Sequence, residues 1–288
     1  MQIKRVGVVG LGNMGLPMAT TLVAKGFEVV GHDVSARRVA MAREQGVRTE
    51  DLVVLLREVD ATVISLPNGR DVEAVLATTN GLLERRGRRV VVVDTSTSDP
   101  STSRRLAALL HASGHGFLDA PVSGGPAGAA DGSLTMMVGG TEQDFADARP
   151  VINAIAGRVF HVGPSGAGNV AKLVNNMLVA AHMLTTGEAL RLAEAAGVSA
   201  ASVLQVVNAA TGRSGVSEVH FPRWVLSGGF DSGFSAGLMR KDVGLAAELA
   251  DALGVTLPLS SEVARLWLED RATVVDTADF TRMSGWHA

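Results

Sequence analysis

One apolar stretch carries three polar side chains whose spacing suits proton transfer. In GAGNVAKLVNNMLVAAHML, residues 166–184, Lys172 precedes Asn175 and Asn176 by three and four residues. Residues four apart on a helix share a face, so Lys172 and Asn176 would be neighbours. An ammonium group is costly there unless it faces a polar cavity, where a lysine can act as general acid and base. For a lone lysine, a stem lying along the surface with its charged head in water is the favoured alternative.

A second pattern is typical of a dinucleotide-binding turn. The apolar run Ile3 to Val9 leads into GLGNMG, residues 10–15, which matches G-x-G-x-x-G at the start of a helical segment. The first glycine permits the turn, the second lets backbone amides approach a pyrophosphate, and the third lets the helix pack closely on the strand. The amino end of the helix adds N–H groups and partial positive charge for the anion.

A carboxylate follows the second predicted strand. Asp33 lies 18 residues after Gly15, where an acidic side chain can accept hydrogen bonds from the adenine ribose hydroxyls and repels a 2′-phosphate. NAD is therefore favoured as the cofactor, while Arg37 and Arg38 can contact a phosphate and keep NADP open. The dinucleotide contacts predicted from this pattern are Gly10, Leu11, Gly12, Asn13, Met14, Gly15 and Asp33.

The segments that must position these groups alternate between strands and helices in the first half. Strands that are apolar throughout indicate a parallel sheet covered by helices on both faces, which is a doubly wound α/β domain of the Rossmann type. The strand candidates are Ile3–Val9, Glu28–His32, Ala61–Leu66, Arg89–Asp94, Gly116–Leu118 and Leu134–Val138. The helix candidates are Gly15–Lys25, Ser35–Gln45, Ser101–Ser113 and a segment that Thr141 opens.

The second half changes to long helical patterns. Residues 166–196 predict one helix of about 45 Å, enough to run the width of a domain. We therefore expect a dinucleotide-binding domain at residues 1–164 and an all-helical domain for substrate and oligomerisation at residues 165–288, joined by this long helix. Further helices are predicted at Ser199–Asn208, Leu238–Leu253 and Ser260–Asp270, with Gly254 and Pro258 as stop signals.

Composition limits the classes of function. The formal net charge of -3, without a basic stripe, argues against nucleic acid and against an anionic membrane surface. The absence of cysteine excludes disulfides, thiolate metal sites and a cysteine nucleophile. Neither a signal peptide nor a long uncharged apolar run is found, so we expect a cytoplasmic protein whose partners are small molecules.

Four blocks together resemble the β-hydroxyacid dehydrogenase family, which contains 3-hydroxyisobutyrate dehydrogenase and tartronate semialdehyde reductase and is related to 6-phosphogluconate dehydrogenase. They occur in the family's order and span the chain, and their joint occurrence is far more specific than the glycine motif alone. The blocks are VGVVGLGNMGLPMA from Val6, FLDAPVSGGPAGAADGSL from Phe117, GAGNVAKLVNN from Gly166 and LMRKDVGLA from Leu238.

The resemblance implies a role for each matching residue. Lys172 matches the catalytic lysine, and Asn175 and Asn176 match the amides next to it. Lys241 resembles a lysine that contacts the cofactor near the nicotinamide. The substrate loop is matched by Ser123, Gly124 and Gly125, and loop positions lining the dinucleotide by Leu66, Pro67 and Thr97. Two consecutive glycines expose backbone amides that can bind a carboxylate, so a small hydroxy acid is the expected substrate.

The expected reaction is direct hydride transfer between NAD and the carbinol carbon, with Lys172 exchanging the hydroxyl proton and Asn176 holding the reacting groups in line. Two alternatives stay open: an imine reductase that uses NADPH, and a non-catalytic module that binds the dinucleotide. Lys172 with Asn176 argues against the first, and the full set of catalytic-type residues argues against the second. Because the helical domain is strongly apolar, we expect a homodimer or homotetramer.

Hydrolytic and metal chemistry is disfavoured. Ser123 lacks the G-x-S-x-G turn of a serine nucleophile. His111 and His115 have a metal-like spacing but no further ligand near them in sequence, so we predict exposed histidines at a helix end and no metal site. Arg213, in the segment NAATGRSGVSEVHF, either pairs with a second anionic group of the substrate or is a solvated loop arginine.

Overall fold

A computed structural model of the protein describes residues 2–85, 87–269 and 271–285. The chain forms two compact units, Met1–Lys172 and Leu173–Ala288, and the division falls within one long helix. The domain boundary predicted from the sequence lies earlier, between residues 164 and 165, and stays a prediction. Within the described ranges, no helix combines the length and the apolar character that crossing a bilayer requires.

The first unit is built on a sheet that has nine strands among the described residues. Their spatial order is β3-β2-β1-β4-β5-β6-β8-β7, and β9 pairs with β8. The strands are β1 (Arg5–Val9), β2 (Glu28–His32), β3 (Arg48–Thr49), β4 (Ala61–Ile64), β5 (Val91–Asp94), β6 (Gly116–Asp119), β7 (Val122–Ser123), β8 (Leu134–Gly139) and β9 (Ala156–Gly163).

The sheet is parallel from β1 to β6, which confirms the doubly wound α/β fold predicted from the Val-rich runs. β8 instead runs antiparallel to β6 and β7, and β9 runs parallel to β8. The sheet is therefore mixed. The reversal follows from chain length, because the connection of residues 124–133 is shorter than the dozen or more residues that a parallel crossover needs.

Helices cover both faces of this sheet. The sequence pattern predicted α1, α2, α5 and α7, and it missed α3, α4 and α6, which are too short to show a helical period. The helices are α1 (Gly15–Ala24), α2 (Ala36–Glu44), α3 (Leu52–Glu58), α4 (Gly69–Leu76), α5 (Pro100–Ala112), α6 (Gly125–Asp131) and α7 (Glu142–Ile155). As its sequence predicted, Thr141 caps α7, since its hydroxyl accepts from the Asp144 N–H at 3.1 Å.

Alternate side chains of the central strands enter two separate cores. Val91 and Val93 of β5 pack in one core with Leu22 of α1. Val92, between them, packs in the other core with Leu106 of α5. Burial on both faces explains why these strands read as continuous apolar runs. It also leaves the strand ends as the places where polar loops can gather.

The second unit is helical, as predicted. Within the described part of the chain its backbone makes no strand pairing apart from an isolated bridge between Ser235 and Asp279. Its core contains fully buried large side chains such as Trp267 and Phe221. The helices are the carboxyl-terminal part of α8 (Ala167–Ala195), α9 (Ala200–Ala209), a π-helix (Val216–Val225), α10 (Ala236–Leu253), α11 (Pro258–Glu269) and a 3-10 helix (Phe280–Ser284).

One detail differs from the sequence prediction. Pro258, expected to stop a helix, is the first residue of α11, because a proline at that position removes only an N–H that has no partner within the helix. The segment NAATGRSGVSEVHF, which contains Arg213, includes the end of α9 and the start of the π-helix. Asp270, the predicted end of the last helix, lies outside the described residues.

Candidate active site

The turn between β1 and α1 has the geometry that a dinucleotide needs. Gly10 has a φ of 90°, and its N–H donates to the His32 carbonyl at 2.9 Å. A Cβ at Gly15 would lie 1.8 Å from the Gly10 carbonyl oxygen, whereas a Cβ at Gly12 would meet no atom within 4 Å. Packing therefore requires the first and third glycines, and the second leaves open space beside the backbone.

The amino end of α1 is free of competing groups. Its N-cap residue, Met14, makes no side-chain hydrogen bond to the first turn, and that turn contains no acidic residue. The orphan N–H groups and the helix dipole are thus left for an external anion. The open space at Gly12 lies directly before this helix end. These residues therefore fit the pyrophosphate of a dinucleotide.

Asp33 is fixed beside the same turn. Its carboxylate accepts hydrogen bonds from the N–H groups of Leu11, at 2.7 Å, and Ser35, at 2.8 Å. These two contacts hold the side chain at the end of β2 against the glycine turn. The position is the one in which an acidic residue meets the adenine ribose in dinucleotide-binding folds.

The two arginines that follow β2 differ in their surroundings. A guanidinium nitrogen of Arg38 donates to Asn13 Oδ1 at 3.0 Å, which places Arg38 next to the glycine turn. Arg37 is exposed. The geometry therefore contains one feature in favour of NAD, the Asp33 carboxylate, and one in favour of NADP, the nearby Arg38.

The residues after β4 and β5 lie at the same carboxyl edge of the sheet. The Leu66 N–H donates to Ser96 Oγ at 2.9 Å. The Leu66 side chain lies beside Gly10, because a Cβ on that glycine would be 2.9 Å from Leu66 Cδ2. Pro67 follows directly, and Thr97 is the third residue after β5. The structure thus brings Leu66 to the glycine turn and places Pro67 and Thr97 at neighbouring strand ends.

The predicted substrate loop begins at the end of β7. Gly124 and Gly125, which follow Ser123, have φ values of 126° and 64°, in the region that favours glycine. A Cβ at Gly125 would meet nothing within 4 Å, so the backbone is open to a small anion such as a carboxylate. The following helix, α6, packs on α1, where Thr21 Oγ1 donates to the Ala129 carbonyl at 2.8 Å.

Asp119 anchors the amino end of α8 on the sheet. This fully buried last residue of β6 accepts from the N–H groups of Gly166, at 2.7 Å, and Asn169, at 2.9 Å. Burial raises the pKa of Asp119, and these backbone hydrogen bonds oppose the rise. Lys172 lies three residues after Asn169, so its position depends on this anchor.

Replacing Asp119 with alanine is expected to lower both stability and turnover. Two N–H groups at the start of α8 would lose their buried acceptor, which costs about 2 kcal/mol of unfolding free energy. Urea denaturation and steady-state kinetics measure the two effects. Asp131→Ala, which removes an exposed carboxylate at the end of α6, is the matched control. Wild-type stability and turnover in Asp119→Ala would show that the anchor is dispensable.

Asn169 makes a second connection between α8 and the sheet. Its Oδ1 accepts from the Ser98 N–H at 3.0 Å, and its Nδ2 donates to Ser103 Oγ at 2.9 Å. The side chain is fully buried. Asn169 and Asp119 both stand in the sequence blocks quoted above, yet sequence reasoning assigned them no role. Asn169 could have been identified from the sequence, because it places an amide in an apolar helix three residues before Lys172.

Lys172 and Asn176 are both buried, at 8% and 4% exposure. They lie one turn apart on α8, and Asn175 between them is half-buried. A lysine whose charged head extends into bulk water does not fit an exposed fraction of 8%. The structure therefore argues against the interpretation in which the Lys172 ammonium group lies in bulk water.

In the second unit, Asn176 is tied to α10. Its Nδ2 donates to Asp242 Oδ2 at 2.6 Å, and its Oδ1 accepts from Asn175 Nδ2 at 3.0 Å. Asp242 is buried, and its Oδ1 lies 3.2 Å from Lys241 Nζ, close enough for an ion pair but without hydrogen-bond geometry. The structure thus brings the two predicted amides and the predicted cofactor lysine together around Asp242, which sequence reasoning did not single out.

The remaining candidates have separate surroundings. Arg213 is exposed between α9 and the π-helix, which matches a solvated loop arginine. His111 Nε2 lies 2.7 Å from Asp144 Oδ2. His115 is buried, and its Nδ1 accepts from the Val90 N–H at 3.2 Å. Burial lowers the pKa of His115. The prediction of an exposed histidine is therefore wrong for His115, and the two histidines have distinct protein partners.

Two family models cover nearly the whole chain. Residues 5–163 match the NAD binding domain of 6-phosphogluconate dehydrogenase. Residues 166–286 match the family described as NAD-binding of NADP-dependent 3-hydroxyisobutyrate dehydrogenase. The two matches meet just before α8 and leave no long segment of the chain without a counterpart.

Individual proteins of similar length are also similar to this chain. A 3-hydroxyisobutyrate dehydrogenase of Pseudomonas aeruginosa is 38% identical over 91% of this chain and 90% of its own. A 2-(hydroxymethyl)glutarate dehydrogenase of Eubacterium barkeri is 34% identical over 96% of this chain and 92% of its own. The solved structure of Mycobacterium tuberculosis 3-hydroxyisobutyrate dehydrogenase with L-serine superposes with a TM-score of 0.90, at 35% identity, over 99% of both chains.

Proposed function

The chain belongs to the β-hydroxyacid dehydrogenase family, whose cofactor is NAD(P), and from that premise we propose that it transfers a hydride between NAD and the hydroxyl-bearing carbon of a small β-hydroxy acid. Lys172 is the general acid and base of this reaction. The observation that carries the proposal is the burial of Lys172 one helical turn from Asn176. Burying an amine costs free energy that polar partners must offset, and groups buried at such a cost gather at functional sites.

Each residue has a defined task in this mechanism. Lys172 Nζ takes the proton of the substrate hydroxyl during oxidation and returns a proton to the nascent alkoxide during reduction. Asn176, flanked by Asn175, holds that amine and the hydroxyl in line. The turn at Ser123, Gly124 and Gly125 binds the substrate carboxylate. The bound nicotinamide supplies the hydride acceptor.

The cofactor is held by the glycine turn and by the strand ends around it. Gly12 admits the pyrophosphate, and the amino end of α1 stabilises its charge. Asp33 accepts from the adenine ribose hydroxyls. Leu66, Pro67 and Thr97 line the dinucleotide, and Lys241 contacts it near the nicotinamide. These roles follow the family resemblance, and the geometry of the glycine turn supports those of Gly12 and Asp33 most directly.

The substrate class can be narrowed by chemistry. 3-Hydroxyisobutyrate, 2-(hydroxymethyl)glutarate and serine, which appear in the names of the relatives and of the solved structure, share one core. Each has a primary alcohol and a carboxylate on a common central carbon that carries a further substituent. We propose that this chain acts on such a 2-substituted 3-hydroxypropanoate and produces the corresponding semialdehyde.

Initial rates with NAD and with NADP test the proposed function. The substrates are 3-hydroxyisobutyrate, L-serine, 2-(hydroxymethyl)glutarate, glycerate, threonate and 4-hydroxybutyrate. We expect one of the first three to give the highest kcat/KM, because 4-hydroxybutyrate places the hydroxyl one carbon too far from the carboxylate. No turnover with any acid would favour a non-catalytic dinucleotide-binding module. NADPH oxidation with a cyclic imine, in the absence of hydroxy-acid turnover, would favour an imine reductase.

The Asp33 carboxylate is expected to set the preference for NAD. Asp33→Asn keeps the shape and one acceptor oxygen for Leu11 or Ser35, but it removes the charge that repels a 2′-phosphate. We expect the ratio of kcat/KM for NADP to that for NAD to rise about tenfold or more, since like charges in contact cost several kcal/mol. Glu44→Gln, which removes an exposed charge from α2, is the control. An unchanged ratio would remove Asp33 from cofactor selection.

We also propose that the protein acts as a homodimer or homotetramer. Along α8, Val174, Leu178 and Leu192 are exposed to 47%, 49% and 72%, and a second copy of the chain would bury such side chains. Light scattering after size exclusion measures the oligomeric state, and a monomer at micromolar concentration would contradict the proposal. The cytoplasmic location stays a prediction from the sequence.

A further inference from the structure

Asp242 is a buried carboxylate with two different neighbours. It is 2% exposed, and its Oδ2 accepts a short hydrogen bond of 2.6 Å from Asn176 Nδ2. Its Oδ1 lies 3.2 Å from Lys241 Nζ. Asp242 stands in α10 and Asn176 in α8, 66 residues apart in the chain. None of the tasks assigned above belongs to Asp242, although it touches two residues that have one.

The contact with Asn176 determines which way that amide points. An asparagine amide has one donor end and one acceptor end of nearly the same shape, so its neighbours decide its orientation. An ionised carboxylate only accepts hydrogen bonds. Asn176 must therefore turn its NH2 group toward Asp242, and its Oδ1 points the other way, where it accepts from Asn175 Nδ2 at 3.0 Å.

The orientation matters because of what the amide oxygen can do. Side chains on a helix lean toward its amino end, so Asn176 reaches back toward the turn that carries Lys172. The second lone pair of an oxygen presented there can accept a hydrogen bond from an N–H of the Lys172 amine, which leaves the nitrogen lone pair of that amine for the substrate hydroxyl. An NH2 group presented there would oppose the N–H donors of the Lys172 amine and would compete with the substrate hydroxyl for the nitrogen lone pair.

We propose that Asp242 is a positioning residue for the dehydrogenase reaction, which holds the Asn176 amide with its oxygen toward the Lys172 amine, so that the nitrogen lone pair of this amine is free to take the hydroxyl proton. The inference rests on the proposed function. Asp242 acts through Asn176, with which it makes a direct hydrogen bond. The contact between Asp242 Oδ1 and Lys241 Nζ lacks hydrogen-bond geometry. We therefore assign the positioning role to the shorter contact, between Asp242 Oδ2 and Asn176 Nδ2.

Asp242→Asn tests the proposal with almost no change in shape. Two facing amides can pair in either sense, so the orientation of Asn176 is no longer imposed. We expect kcat to fall about tenfold or more, the size of effect that losing a hydrogen bond to a charged group produces. We expect kcat/KM for the hydroxy acid to fall by the same factor, because the lost interaction serves the transition state. The dissociation constant for NAD should not change.

Three comparisons separate positioning from a merely structural effect. Asp251→Asn, at an exposed site on the same helix, should leave kcat unchanged. Asp242→Glu keeps an acceptor-only group, so it should retain more of kcat than Asp242→Asn does. Thermal unfolding is followed for every variant, and kcat is measured at a temperature at which all of them are folded. Equal losses in Asp242→Glu and Asp242→Asn would overturn the proposal.

A double-mutant cycle gives the sharpest result. Once Asn176 is replaced by alanine, Asp242→Asn should cause no further loss of kcat, because the residue through which it acts is gone. Additive losses would mean that Asp242 acts on another group, and they would overturn the inference. A wild-type protein that turns over no hydroxy acid would instead overturn the proposed function. An active wild type with unchanged kcat in Asp242→Asn would overturn only the role of Asp242.

Discussion

Lys172→Ala is expected to lower kcat for the hydroxy acid by about a hundredfold or more, the usual contribution of a general acid and base. NAD affinity should change little, because the glycine turn and Asp33, which hold the dinucleotide in our proposal, lie at the ends of β1, β2 and α1 rather than on α8. Steady-state kinetics and calorimetric titration of NAD measure the two quantities. Near-normal turnover in this variant would remove Lys172 from the mechanism.

Lys172→Arg separates proton transfer from charge. A guanidinium group keeps the positive charge but does not lose its proton in proteins. If Lys172 exchanges the substrate proton, this variant should be as slow as Lys172→Ala. If the lysine only stabilises a negative charge, the arginine variant should recover much of the activity. Lys25→Ala, at an exposed position after α1, controls for the loss of a cation elsewhere in the same unit.

Gly15→Ala and Gly12→Ala should fail in different ways. A Cβ at Gly15 would lie 1.8 Å from the Gly10 carbonyl oxygen, so α1 must move away from the turn. We expect this variant to lose about 1 to 3 kcal/mol of unfolding free energy, as overpacked sites do. A Cβ at Gly12 meets nothing, so the stability of that variant without cofactor should equal that of the wild type.

The affinity for NAD is expected to distinguish the two variants further. At Gly12 the added methyl group occupies space that we assign to the pyrophosphate. The dissociation constant for NAD should therefore rise about tenfold or more, which corresponds to about 1.4 kcal/mol. Thermal unfolding without cofactor and calorimetric titration with NAD measure both effects. Unchanged NAD binding in Gly12→Ala would show that the open space at this glycine does not receive the dinucleotide.

The features that could be predicted from the sequence are those that produce a pattern among residues close together in the chain. The Val-rich runs of β1, β4 and β5 indicated parallel strands buried on both faces, and the period of residues 166–196 indicated α8 within one residue at each end. The glycine turn with Asp33 could be predicted because each glycine of such a motif has a steric reason to lack a side chain. Two-residue strands such as β3 and β7 left no pattern to detect.

Lys172 shows the limit of what local sequence patterns can predict. Its spacing to Asn176 follows from the helix alone, but the same spacing is compatible with a lysine in water. The exposed fraction of 8% was decided by the packing of the whole fold. The catalytic interpretation came from the resemblance of four blocks to a known family, because these blocks match the family in their chemical groups as well as in their spacing.

The sequence by itself thus determined the doubly wound sheet, the long helix and the residue types that can bind a dinucleotide and move a proton. Only the tertiary structure decided the antiparallel edge of the sheet, the anchoring of α8 by Asp119, and the bond from Asp242 to Asn176. These contacts join residues 47 and 66 positions apart. Helical and strand periods report on near neighbours, whereas the partner of a buried carboxylate is chosen by how distant elements pack.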